Sequence, residues 1–138
     1  MMSYTIEWHD DNKTILLVTV DPIDWTWKDA HNIVRTQVEM MQTVAHTVHT
    51  IFAFTTSPRM PNRDEKLFTH LRSLLNTRAD NEGLSIFVGT NKLFSTLLNT
   101  VGKVNRLTWL IEKYHFVTTF DQACDIIAQH KSNVLETR

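Results

Sequence analysis

A run of four apolar residues, Ile51 to Phe54, lies in the middle of the chain with no polar position among them. Such a run is typical of a strand covered on both faces, as in the interior of a parallel sheet. The segment that follows, Ser57 to Asp64, is polar and leads into an amphipathic helix. Because open α/β sheets usually bind ligands beyond the carboxyl ends of their strands, this segment is where we expect a functional site.

The other strand patterns lie on both sides of this central run. An alternating segment, Tyr4 to Trp8, precedes a mostly apolar one, Thr14 to Val20, across the polar turn His9 to Asn12, so the two are predicted to form a hairpin. Two more strands are predicted at Leu84 to Gly89 and Tyr114 to Thr118. The sheet therefore has five strands, and the first is an edge strand.

Helix patterns separate the later strands. The first helix is predicted to begin near Thr26, which has capping-box spacing with Asp29. The second is predicted from about residue 62 or 63 to Arg78, and Gly83 is expected to take a positive φ where this unit stops.

The remaining helices follow the fourth and fifth strands. Asn91 is predicted to cap the third helix, which should end or bend at Gly102. Val104 to Glu112 is predicted to be a further helical piece. Thr119 and Gln122 have the spacing of a capping box at the start of the last helix.

The order β-β-α-β-α-β-α-β-α predicts a single α/β domain spanning residues 1–138. Right-handed crossovers then give a mainly parallel five-stranded sheet with an antiparallel first edge strand and helices mostly on one face. The other face needs a separate cover, for which a second copy of the protein is one candidate.

Composition argues against several classes of partner and chemistry. Fourteen basic and fifteen acidic residues give a net charge of −1, so a nucleic-acid partner is not expected. No segment approaches the roughly 20 apolar residues that span a bilayer, and the start of the chain lacks a signal-peptide core. The single cysteine, Cys124, fits a reducing compartment, so we expect a cytoplasmic protein. Only three glycines are present, which excludes a P-loop or a dinucleotide fingerprint, and no cofactor is expected.

Three segments carry a family resemblance: Phe116 to Ile127, where a strand runs into a Thr-x-x-x-Ala helix, Ile6 to Trp8, and Trp25 to Trp27. With the opening hairpin and three βα units, they resemble the STAS domain of anti-anti-sigma factors, and most closely small STAS-like proteins. The likeness covers nearly the whole chain. It implies a bacterial-type regulatory module that acts by binding another protein.

The resemblance does not extend to the family's phosphorylation switch. That family carries a regulatory serine at the start of the second helix, and the matching segment here, Pro61 to Glu65, has no serine, threonine or glycine. The switch is therefore not carried over. Asp64 and Glu65 are interpreted as acids at a helix start, with mimicry of a permanent phosphate as the alternative.

Two groups of residues have side chains that metals use. His46 and His49 are three apart, but in a loop and strand start such side chains point to opposite faces. His9, Asp10 and Asp11 are interpreted as a solvated hairpin turn. No metal site is predicted.

Catalytic patterns are equally sparse. Ser57 and His70 lie near each other in sequence, but no nucleophile elbow surrounds the serine, so no catalytic residue is predicted. Cys124 falls on the inner stripe of the last helix and is interpreted as a buried apolar residue. Trp25 and Trp27 are interpreted as packing at a helix start in preference to a ligand cage.

These patterns leave two main functional hypotheses. The first is a non-enzymatic STAS-like module that binds a protein partner, or itself, through the polar loop and the adjoining faces of the first two helices, unless that loop is merely solvated. The partner-binding residues would be Ser57, Arg59, Met60, Asn62, Arg63 and Asp64. The second is a carrier or sensor of a small apolar ligand, prompted by four Trp and seven Phe, which a sizeable apolar pocket beneath Pro58 to Asn62 would favour. An enzyme is the least supported class.

Overall fold

The computed structural model describes residues 2–59, 66–104, 106 and 112–136. Their strands and helices follow the predicted order. They are β1 (Ser3–Trp8), β2 (Ile15–Asp21), α1 (Trp27–Met41), β3 (Val48–Phe54), α2 (Leu67–Asn76), β4 (Glu82–Val88), α3 (Lys92–Val104), β5 (Tyr114–Val117) and α4 (Phe120–Glu136).

The five strands form one sheet in the order β1-β2-β3-β4-β5. β1 is antiparallel to β2, and the other neighbours are parallel, which confirms the predicted fold class. Ile51 of the central run pairs with Leu17 on one side and Ile86 on the other. Ile51 and Phe52 point to opposite faces, belong to different core clusters and are both buried, so the unalternating run is covered on both faces, as predicted.

The helices divide between the two faces of the sheet. The buried side chains of α1, α2 and α3 form one core with Val18, Phe52 and Phe87 of the sheet. On the opposite face, Ala123 and Ile127 of α4 pack on the sheet. The face for which a second copy was a candidate cover is therefore covered by the chain's own last helix.

Both predicted capping boxes form. The Thr26 hydroxyl accepts from the Asp29 N–H at 3.2 Å, and the Asp29 carboxylate accepts from the Thr26 N–H at 2.8 Å. At the start of α4, the Gln122 N–H donates to Thr119 Oγ1 at 3.2 Å, and Gln122 Oε1 accepts from the Thr119 N–H at 3.2 Å. These pairs satisfy backbone donors that a helix start leaves free, so each helix begins where its sequence predicts.

Some element boundaries differ from the sequence prediction. Gly83 was expected to take a positive φ, but it lies within β4, which begins two residues earlier than predicted. α3 continues through Gly102 to Val104. The expected start of the second helix, at residue 62 or 63, and most of the helical piece predicted for 104–112 lie outside the described residues.

A β-bulge accounts for the early start of β4. Val48 pairs with Glu82 and Thr50 pairs with Ser85, so β4 carries one residue more than β3 over this stretch. Glu82 and Ser85 are three residues apart, and without the bulge their side chains would lie on opposite faces. The extra residue places Glu82 on the face of the sheet that α1, α2 and α3 cover.

Candidate ligand cavity

An apolar cavity of about 100 Å³ lies between the sheet and the three helices α1, α2 and α3. Val20, Phe52, Phe54 and Phe87 form its floor on the sheet. Trp27, Ala30, Ile33, Leu71, Leu75 and Leu98 are among the helix residues that enclose it. A closed apolar cavity of about 150 Å³ accommodates benzene. The volume here is about two thirds of that, so it holds a short chain, and a single ring fits once the surrounding side chains move apart.

Aromatic rings line the cavity towards the carboxyl ends of the strands. Phe54 makes edge-on contacts with Trp25 and Phe94, at centroid distances of 6.0 and 5.9 Å. The indole N–H of Trp25 donates to the Arg59 carbonyl oxygen at 2.6 Å. This end of the cavity thus meets the start of the polar loop, where the sequence placed a functional site.

Polar side chains line the opposite end, near the amino ends of β4 and β5. They are Gln37, Thr77, Glu82, Ser85 and Tyr114. Gln37 is 2% exposed, and its amide donates to Thr50 Oγ1 at 2.9 Å and to Glu82 Oε1 at 3.4 Å. The cavity therefore has an apolar body and one polar end, which is the usual composition of a small-molecule site.

The carboxyl group of Glu82 is only partly satisfied. Oε1 accepts from Gln37, whereas Oε2 is buried and has no hydrogen-bond partner among the described residues. Burial raises the pKa of Glu82 from 4.5 to about 7, although the positive charges of Arg78 and Lys113 and the hydrogen bonds of Gln37 and Ser85 oppose the rise. Burial and the Glu82 charge also raise the pKa of Tyr114. Near neutral pH this end of the cavity can therefore hold either a carboxylate or a carboxylic acid.

His49 supports the bulge from the other face of the sheet. Its Nδ1 accepts from the Leu84 N–H at 2.9 Å, which satisfies a backbone donor within the bulge. Gly83 leaves room for this ring, since a Cβ at that position would overlap the imidazole and lie 2.9 Å from Cγ2 of Thr47. The contact between His49 and Leu84 thus helps to hold Glu82 on the cavity side.

The environment of His49 keeps its ring neutral. The side chain is 4% exposed, and its ring meets the His130 ring edge-on at 5.4 Å. Burial, followed by the charges of His130 and Lys131, lowers the pKa of His49 from 6.5 to about 4. A neutral ring leaves Nδ1 free to accept, as the bond from Leu84 requires.

Only part of the predicted partner-binding loop belongs to the described residues. Ser57 and Arg59 are exposed, and Pro58 between them is buried. Met60, Asn62, Arg63 and Asp64 lie outside the described residues, as does Glu65. The contact of the Arg59 carbonyl with Trp25 connects the loop to the rim of the cavity, and the role of these side chains in binding a partner stays a prediction.

The residues considered as metal ligands have other contacts. His46 Nε2 lies 2.8 Å from the Lys13 carbonyl oxygen, and His49 binds the Leu84 N–H. Asp10 accepts from the backbone N–H groups of Thr14 and Ile15, so the turn is built as its sequence predicts. Within residues 2–59, 66–104, 106 and 112–136, no group of three or more His, Cys, Asp or Glu side chains could hold a metal ion.

The structure does not bring the side chains considered for catalysis, Ser57, His70 and Cys124, into contact with one another. His70 stacks on Trp27 at 4.8 Å, and its Nδ1 lies 3.2 Å from His31 Nε2, whereas Ser57 is exposed in the loop. Cys124 is half-buried against the core under α4, and burial raises its pKa. It packs as a small apolar residue, as the sequence indicated.

Sequence reasoning missed the polar end of the cavity. Gln37 lies four residues after Ile33 and four before Met41, so its place on the inner stripe of α1 was a readable signal of a buried polar group. Glu82 gave no such signal, because its orientation depends on the bulge. Trp25 and Trp27 were interpreted as packing at a helix start in preference to a ligand cage, and both line the cavity.

Comparison of the chain with family models, with curated proteins and with solved structures returned no significant match. Among the described helices, none combines the length and the apolar character needed to cross a bilayer. The geometry of the cavity and the residues around it are therefore the basis for assigning a function.

Proposed function

We propose that this protein is a non-enzymatic module that binds a small apolar molecule in the cavity between the sheet and α1, α2 and α3. The observation that carries the proposal is the combination of an aromatic-lined cavity of about 100 Å³ with a polar end at Glu82. Stable cores are normally packed without voids of this size, because unfilled space costs stability. A cavity with an apolar body and a few polar groups at one end is well suited to an occupant.

The position of the cavity supports a role as a sensor or carrier. It lies under Trp25, which is bonded to the start of the loop that was predicted to bind a partner. An occupant that shifted Trp25 would also act on the Arg59 backbone. The resemblance to STAS domains, and the regulatory protein contact that it implies, stay predictions.

Filling the cavity is expected to weaken binding without harming the fold. Ala30 lines the cavity and is 6% exposed, so the longer side chain of Ala30→Leu would occupy the space of the ligand. We expect toluene to bind to the wild type and raise its melting temperature. In Ala30→Leu we expect at least about a tenfold loss of affinity, equivalent to about 1.4 kcal/mol. Isothermal titration calorimetry and thermal unfolding measure both effects.

The matched control makes the same change on the surface. Ala128 of α4 is exposed, so Ala128→Leu should bind toluene as the wild type does. Ala30→Leu should also be more stable than the wild type without ligand, by about 1 kcal/mol, because it fills a cavity. Equal binding of toluene to the wild type and Ala30→Leu, or no binding to either, would contradict the proposal. Mass spectrometry of protein purified under native conditions would identify a retained ligand.

A further inference from the structure

The polar end of the cavity restricts the chemistry of the ligand. Gln37 donates to Thr50 Oγ1 and Thr77 donates to the Ser73 carbonyl oxygen, but Glu82 Oε2 is a buried acceptor without a partner among the described residues. A buried acceptor left unpaired costs free energy, and a ligand that carries a donor would remove that cost on binding. An ionised carboxyl group accepts hydrogen bonds and does not donate them.

We propose that the ligand is a compact apolar molecule with one hydrogen-bond donor, a hydroxyl or an amine, which it presents to the Glu82 carboxylate. This inference rests on the proposed function, since it names the ligand class of the same cavity. Carboxylic acids are disfavoured as ligands above neutral pH, because two carboxylates would face each other in an apolar environment. Hydrocarbons enter the apolar body of the cavity but leave Oε2 unpaired.

The bulge gives this assignment its geometric basis. Without the extra residue in β4, the side chain of Glu82 would point to the face that α4 covers. The bulge instead places it beside Gln37, whose amide occupies Oε1 at 3.4 Å. Bulges commonly serve to redirect a side chain at a binding site. Oε1 is thus engaged by the protein, and Oε2 is the carboxyl oxygen without a partner among the described residues.

Three probes of nearly equal size test the ligand class at pH 8. Toluene has no polar group, phenol carries a donor, and benzaldehyde carries only an acceptor. In the wild type, phenol should bind at least as tightly as toluene, although it loses more hydration on entering an apolar cavity. Benzaldehyde should bind more weakly than phenol. Titration calorimetry provides the three affinities.

Two variants of Glu82 separate the donor contact from apolar burial. In Glu82→Leu, the ratio of phenol affinity to toluene affinity should fall by about tenfold or more, because the hydroxyl loses its acceptor. In Glu82→Gln, which keeps an acceptor and adds an amide donor, phenol should still bind and benzaldehyde should gain affinity. If Glu82→Leu fails to fold, Glu82→Gln still tests the role of Glu82. Glu7→Leu, at an exposed position of β1, should leave the ratio of phenol affinity to toluene affinity unchanged.

The outcomes distinguish this inference from the proposed function. Binding of toluene with no binding of phenol would overturn the donor assignment and leave the apolar cavity site intact. A ratio of phenol to toluene that is unchanged in Glu82→Leu, or benzaldehyde binding that does not improve in Glu82→Gln, would overturn the role of Glu82. Failure of all three probes to bind would overturn the proposed function, and the ligand class with it.

Discussion

Replacing Glu82 by Gln is expected to stabilise the protein by about 3 kcal/mol at pH 8.5 and to leave its stability nearly unchanged at pH 4. Burial raises the pKa of Glu82 in the folded protein from 4.5 to about 7. Each pKa unit corresponds to about 1.4 kcal/mol, so the difference of 2.5 units gives the expected effect. Glutamine is similar in size and carries no charge.

The sign follows from the proton uptake of the two states. Between pH 4.5 and about 7, the folded protein holds a proton on Glu82 that the unfolded chain releases. The contribution of Glu82 to stability is therefore fully present below pH 4.5 and is lost as the pH rises through about 7. Urea unfolding of the wild type and Glu82→Gln across this range measures the difference.

Glu7 provides the control for this comparison, because it is exposed on β1. Glu7→Gln removes the same charge at the surface, where a single substitution usually changes stability by less than about 0.5 kcal/mol. A Glu82→Gln variant that gains no stability at high pH would show that the carboxyl group is well solvated or fully paired. Glu82 would then not have a buried carboxyl oxygen without a partner.

The second large expected effect is a loss of stability in acid, which arises from protonation of His49. The pKa of His49 falls from 6.5 to about 4 on folding, chiefly because the ring is buried. A lowered pKa means that the folded state holds fewer protons than the unfolded chain. The contribution of His49 to the free energy of unfolding is therefore fully present above pH 6.5 and is lost as the pH falls through about 4. We expect a loss of about 2 kcal/mol from this group, allowing for partial solvent screening.

Two substitutions divide the roles of His49. Asn at this position has no titrating group, and its side-chain oxygen can accept from the Leu84 N–H, so His49→Asn should lose the acid-sensitive contribution. Leu has no acceptor, so His49→Leu should be less stable than His49→Asn at pH 7 by about 1–3 kcal/mol. Urea unfolding of both variants and an NMR titration of the His49 ring provide the measurements. A ring that titrates near pH 6.5 would contradict the burial and the hydrogen bond to Leu84.

Glu82 and His49 oppose each other in the same pH range. Acid favours the folded state through Glu82 and disfavours it through His49. Their contributions to stability offset in the wild type between about pH 4.5 and 6.5. Replacing either residue makes the pH dependence that is due to the other one measurable. Both groups lie at the same bulge, so the pair of variants examines one structural feature from its two faces.

Most of the fold could be predicted from local patterns. The apolar run at Ile51 to Phe54 indicated a strand buried on both faces, and short hairpin and crossover connections then determined the strand order. Thr26 and Thr119 marked helix starts because capping is a local interaction between residues three apart. The cover on the second face could not be read in this way, since where α4 packs depends on tertiary contacts.

The site was harder to predict, because it depends on register and on packing volume. Asp80 to Gly83 has the composition of a turn, but pairing with β3 draws Glu82 and Gly83 into the sheet. The need for glycine at position 83 comes from the His49 ring, which is distant in sequence. The cavity is the space left between side chains from seven helices and strands, so no local sequence pattern predicts it.

The most direct test of the cavity as a ligand site is an isotope-filtered NOE experiment on labelled protein with unlabelled toluene. We expect NOEs from toluene protons to the methyl groups of Ala30, Leu75 and Leu98, which surround the cavity. Ile23 and Phe68 are the large apolar side chains exposed on the described surface, with 49% and 54% of their area accessible. NOEs confined to those two residues, or no NOEs at all, would contradict the account.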